Sequence, residues 1–99
     1  MLLFTLYHNG HEIAVHNSWK GQETVYYDGQ MMASAYSVMG KLHEFSVREA
    51  DEEVTYQVQL GLHHLGVRAN VWRNGSPLFI GLPTGENASF RERKEEWYV

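Results

Sequence analysis

Apolar and polar residues alternate along most of this chain. The clearest run is Val54, Tyr56, Val58 and Leu60, interleaved with Thr55, Gln57 and Gln59. A period of two is the signature of a β-strand with one buried face. Three segments end the same way: Leu6-Tyr7-His8-Asn9-Gly10, Val25-Tyr26-Tyr27-Asp28-Gly29 and Val71-Trp72-Arg73-Asn74-Gly75. Each runs apolar, aromatic, variable, Asn or Asp, then Gly. Asn-Gly and Asp-Gly tolerate the positive φ that a type I′ turn needs at both central positions, so each segment predicts a strand entering a two-residue hairpin.

The turns set the registers. A turn at Asn9-Gly10 opposes Leu6 with Ile13, Phe4 with Val15, Tyr7 with Glu12 and Thr5 with Ala14. A turn at Asp28-Gly29 opposes Tyr26 with Met31 and Val25 with Met32. Alternation fades from Ala33 to Val38. Leu42 to Glu49 and Val54 to Leu60 pair across a four-residue loop, Ala50 to Glu53, which sets Phe45 against Val58 and Val47 against Tyr56. A six-residue loop, Gly61 to Gly66, sets Leu60 against Val67 and Tyr56 against Val71. The last turn, Asn74-Gly75, opposes Val71 with Leu78 and Ala69 with Ile80. Pro77 has no ladder donor, so its strand belongs at a sheet edge or at a bulge.

These readings give about eight short strands joined by tight turns. The fold class is all-β, an antiparallel β-sandwich in which each half-apolar strand buries one face. One domain spans residues 1–99, with 83–99 as a tail packed on it or partly disordered. Within that tail, Asn87 is placed to cap a short helix towards Glu96; a ninth strand is the competing reading.

At Val25 to Gln30, followed by Gly40, Phe45 and Val47, the chain resembles the Fas apoptosis inhibitory molecule family. That family has a recurrent strand-Asp-Gly-strand unit, then a glycine turn and an aromatic-x-apolar strand. The stretch from Tyr56 to Leu78 is similar again, so the resemblance covers roughly residues 23 to 80. It implies a β-sandwich that acts through protein partners, without an active site. It assigns no role to any single residue. The family's proteins have two domains, and this chain has room for one.

Composition narrows the chemistry. The chain carries 12 acidic and 8 basic residues, a net charge of −4, which argues against nucleic acid because phosphate binding needs clustered cations. With no cysteine, disulfide and thiolate chemistry are excluded and a cytoplasmic setting is favoured. Met1 to Tyr7 lacks the flanks of a signal peptide, and no stretch approaches the ~20 apolar residues of a membrane helix. No serine sits in a nucleophile elbow. Asp28 and Asp51 read as turn residues, and Glu49, Asp51, Glu52 and Glu53 as a solvated hairpin tip. His8 and His11 flank the first turn about 5 Å apart. They are too few for a structural zinc site unless His63 and His64 join them. The expectation is therefore no catalysis, no metal and no cofactor.

The aromatics carry the functional reading. With Leu6, Val25 and Val71 facing inward, Tyr7, Tyr26 and Trp72 face outward. Met31 lies beside Tyr26, and Phe79 shares the face of Trp72. Outward Tyr, Trp and Met are over-used in protein interfaces. The sequence thus predicts a non-catalytic interaction module, binding a protein partner or a second copy through Tyr7, Tyr26, Trp72, Phe79 and the loop residue Trp19. The alternative is a small-ligand or carbohydrate binder using Tyr7, Tyr26, Trp72 or the loop residue Trp19, and a metal-dependent enzyme ranks third.

Overall fold

A computed structural model describes residues 2–18, 21–36, 42–63, 66–85 and 89–91. Strands β1 (Leu2–His8), β2 (His11–Asn17), β3 (Gln22–Tyr27) and β4 (Gln30–Tyr36) form an antiparallel meander. Strands β5 (Leu42–Glu49), β6 (Glu52–His63), β7 (Gly66–Arg73) and β8 (Ser76–Pro83) form a second. A three-residue strand, β9 (Ser89–Arg91), returns to the first sheet and pairs parallel with β1. The sheet orders are β4-β3-β2-β1-β9 and β5-β6-β7-β8. The fold is an all-β sandwich. After Pro83 the described residues are Thr84, Gly85 and β9, so over 89–91 the helix expected from Asn87 towards Glu96 is replaced by a strand, and the rest of that segment lies outside the described residues.

The strands of the two meanders turn their apolar side chains inward. Phe4, Leu6, Val15 and Val25 of one sheet meet Val54, Tyr56, Val58 and Val71 of the other, all at 0% exposure. Burying such side chains contributes roughly 1.5–3 kcal/mol each.

Four two-residue turns lie at one end of the sandwich. At Asn9-Gly10, Asp28-Gly29, Ala50-Asp51 and Asn74-Gly75 both residues have positive φ, the signature of type I′ turns. In two of them the leading side chain also grips the strand beyond its own hairpin. Asp28 Oδ1 accepts the Glu12 N–H at 2.8 Å, and Asn74 Oδ1 accepts the Thr55 N–H at 2.9 Å. The Asn/Asp of the repeated pattern thus supplies both turn geometry and a tie to the sheet.

The first hairpin has the predicted register from Phe4 to His8, and a shift at Leu3 sets Leu2 opposite His16. The others depart from the predicted register at four places. In β4 a bulge at Met32 sets Val25 opposite Ala33 rather than Met32. Between β5 and β6 the turn is Ala50-Asp51 rather than a four-residue loop, so Phe45 opposes Tyr56 and Val47 opposes Val54. Between β6 and β7 the strands extend to His63 and Gly66, so Val58 opposes Val71 and Leu60 opposes Ala69. In β8 two register shifts pair Val71 with Phe79 and Ala69 with Leu82. Pro77 stands on this bulged edge strand, as its missing N–H requires.

Candidate interaction surface

Antiparallel pairing across β1 to β4 lays out the outer face of the first sheet. Tyr7 stands beside Glu12. The next row is Thr5, Ala14, Tyr26 and Met31, and the row after it holds His16, Thr24 and Ser34. Tyr7 and Tyr26 lie two strands across and two residues along from one another, about 12 Å, with buried Ala14 and the Glu12 carboxylate between them. The Tyr7 hydroxyl donates to Glu12 Oε2 at 3.1 Å. Tyr26 meets the His16 ring edge-on, with centroids 5.1 Å apart. Met31 completes the band and is 60% exposed.

The other predicted site residues do not join this band. Trp72 faces outward as expected, but from the second sheet, between Gln57 and Pro77. The sandwich is two sheets thick, so Trp72 is on the opposite side of the molecule from Tyr7 and Tyr26. Phe79 does not share the face of Trp72: the β8 register shift turns it to the side of its partner Val71, where it packs against the core. Trp19 lies outside the described residues. One continuous aromatic face is therefore replaced by two, a Tyr-Tyr-Met band on the first sheet and a Trp-Pro pair with Ile80 on the second. Around Trp72 the second face is polar: Gln57 Nε2 donates to Glu44 Oε2 at 2.7 Å, and the Asn70 side chain is tied to the Gly81 N–H.

Two polar ties cross the core, and the residue pattern had assigned neither. β3 turns Glu23, Val25 and Tyr27 inward, while β5 turns His43, Phe45 and Glu49 inward. His43 Nε2 and Glu23 Oε1 are 2.8 Å apart, both side chains 2% exposed. At the turn end, the Tyr27 and Tyr56 hydroxyls donate to Glu49 Oε2 at 2.5 and 2.6 Å, and Arg73 Nη2 donates to Glu49 Oε1 at 2.9 Å. Glu49 is thus buried, not part of a solvated tip; Asp51, Glu52 and Glu53 are exposed as expected. Its signal was present in the parity of Phe45, Val47 and Glu49.

Charge follows this geometry. Burial pushes the Glu49 carboxyl up, but the three donors outweigh it and hold it below the usual carboxylate range. Burial and the Glu49 carboxylate push both the Tyr27 and the Tyr56 phenol well above their ordinary value. The Glu49 and Tyr56 oxygens hold the Arg73 guanidinium protonated. Both Glu49 oxygens are occupied by these donors, which suits a structural tie better than proton transfer.

His8 and His11 oppose one another across the first turn, as predicted. His11 stacks on Tyr27 with centroids 5.2 Å apart, and its Nδ1 lies 2.7 Å from Asp28 Oδ2. Burial pushes the Asp28 carboxyl up, yet the Glu12 N–H and His11 together lower it. Among the described residues no group of three or more His, Asp or Glu is placed to hold a metal ion. The His63 and His64 side chains lie outside what is described. No helix among the described residues is long and apolar enough to cross a membrane. No family model, no curated protein and no solved structure matches the chain.

Proposed function

We propose that this protein is a non-catalytic interaction module that binds a protein partner through the outer face of its first sheet. The observation that carries the reading is the band formed by Tyr7, Ala14, Tyr26 and Met31, with Met31 60% exposed. Aromatic side chains anchor interfaces because they offer large contact area at low conformational cost, and methionine fits irregular partner surfaces through its flexible, polarizable thioether. His16 lies at the polar margin of the band, and the Glu12 carboxylate sits within it, hydrogen-bonded to Tyr7. The resemblance to the Fas apoptosis inhibitory molecule family points the same way, and the cysteine-free chain suits a cytoplasmic role. Trp72 supports a second reading, a sugar or small ligand stacked on its ring beside the Gln57, Gln59 and Asn70 side chains.

A double variant, Tyr7→Ser with Tyr26→Ser, tests the first reading in extracts of the source cells. Proteins retained by the wild type are expected to be lost by the double variant and kept by Trp72→Ala. The reading fails if the double variant retains everything the wild type does. Partners lost by Trp72→Ala alone would favour the second face.

A further inference from the structure

A two-sheet sandwich has four strand edges, and here they differ in how they are guarded. β9 is only three residues long. β5 carries exposed Glu44 and Arg48. β8 has Pro77 and Pro83, two register shifts, and Gly81 at φ 71°. Short length, charge, proline and bulges are the devices by which edges avoid pairing with other chains. β4 uses only one of them. Its sequence, Gln30-Met31-Met32-Ala33-Ser34-Ala35-Tyr36, has no Asp, Glu, Lys, Arg, His or Pro. The bulge at Met32 interrupts the end near the turn, but Ala33, Ser34, Ala35 and Tyr36 keep regular register with β3. Among the described residues no strand pairs with the far side of β4.

We propose that β4 is the edge through which two copies of this chain pair, antiparallel about a two-fold axis at Ser34. A second copy is the occupant the pattern of the strand favours. The chain carries −4, which opposes association of two copies, and a strand without charge is where that repulsion is least. The pattern is also self-complementary. An axis normal to the sheet sets Ser34 against its own copy and Ala33 against Ala35 of the other, which preserves both faces. Ala33 packs on the core side, opposite Val25, and Ala35 sits opposite buried Glu23. Ser34 stands on the outer face, exposed, its hydroxyl 2.9 Å from Gln22 Nε2 and 3.3 Å from Thr24 Oγ1. All three side chains are small, so none of them obstructs the approach of a second backbone. Pairing joins the two first sheets into one and places two Tyr7-Tyr26-Met31 bands side by side on the same surface. The inference goes beyond the sheet-face reading, because it concerns the backbone edge and holds whether or not that face binds a partner. A contact this short buries less than the ~1,200 Å² of a standard interface, so the dimer is weak and forms between micromolar and millimolar concentration.

Sedimentation equilibrium over that range tests it. The wild-type mass is expected to rise from 11.5 kDa towards twice that value. Ser34→Lys and Ser34→Glu each set like charges directly opposite one another and weaken pairing by about fivefold or more. Mixing the two variants pairs opposite charges and restores it. Lysine lowers the net negative charge, so its effect is not general repulsion; Ser76→Lys, on exposed β8, is the control and dimerises as the wild type does. Amide exchange on the wild type decides the case even if a variant fails to fold: with rising concentration, exchange slows in 33–36 and not in β5 or β8. Tyr7→Ser with Tyr26→Ser leaves the dimer intact, which separates this test from that of the face. A mass fixed at 11.5 kDa, unimpaired pairing by Ser34→Lys, or slowing at another edge would overturn the proposal.

Discussion

At the scale of single residues, neighbours one position apart have opposite fates. Val71 is wholly buried, while Trp72 stands on the outer face of β7. Truncating Val71 removes buried methyl groups and leaves a cavity, so Val71→Ala should cost about 2 kcal/mol in chemical denaturation. Trp72→Ala should cost less than about 1 kcal/mol, since little of the ring's contact is with the core. The reverse order would mean that the second sheet's faces are exchanged. Phe79 shows the limit of residue-level reading. Counted from the Asn74-Gly75 turn it belongs with Trp72, yet each extra residue in a strand reverses parity beyond it. The bulge therefore moves Phe79 to the core side.

At the scale of elements, the turns show where local chemistry is sufficient and where it is overridden. Asp28-Gly29 and Asn74-Gly75 are legible because their residues favour positive φ. Ala50-Asp51 is not, because Ala50 sits at φ 51°, where a Cβ costs roughly 1–2 kcal/mol. The sequence therefore suggested a longer loop. The tighter turn sets Glu49 opposite Glu52 and leaves Glu49 pointing into the core beside Tyr27, Tyr56 and Arg73. Ala50→Gly should relieve the strain and stabilise the protein by about 0.5–1 kcal/mol, after allowing for the greater freedom of glycine in the unfolded chain. Gly29→Ala, at φ 83°, should destabilise it by a similar amount. Thermal melts of the two variants should move in opposite directions.

At the scale of the whole molecule, the two sheets are tied by hydrophobic contact and by two buried polar links, Glu23 with His43 and Glu49 with its three donors. Removing Glu49 strands the Arg73 charge and two phenols, so Glu49→Ala should cost about 3 kcal/mol. The tie also shapes the pH profile. Glu49 has a folded value below its ordinary 4.5, so its contribution is present above that value and is lost as pH falls through the lower folded one. Tyr27 and Tyr56 are raised above 10.0. Their contribution is complete below pH 10 and is lost as pH rises towards their folded values. Urea denaturation across pH should show both limbs. In Glu49→Gln the acid limb should flatten; an unchanged acid limb would remove Glu49 as its source.

Much of the architecture follows from the sequence by itself. Period-two alternation names the strands and the buried side of most of them, and Asn/Asp-Gly pairs place three of the turns. These are local properties, fixed by backbone sterics and by the contrast between neighbouring side chains. The candidate site was half legible for the same reason: alternation tells that Tyr7, Tyr26 and Trp72 point away from the core. It cannot tell that they point in opposite directions, because which sheet a hairpin joins depends on contacts between residues far apart in the chain. Only the tertiary structure assigned Tyr7 and Tyr26 to one surface and Trp72 to the other, turned Phe79 inward through a bulge, and brought Glu49 and Arg73 together from strands β5 and β7. Long-range packing decided these points because an extra residue or a strained turn costs about a kilocalorie, less than the buried contacts it allows.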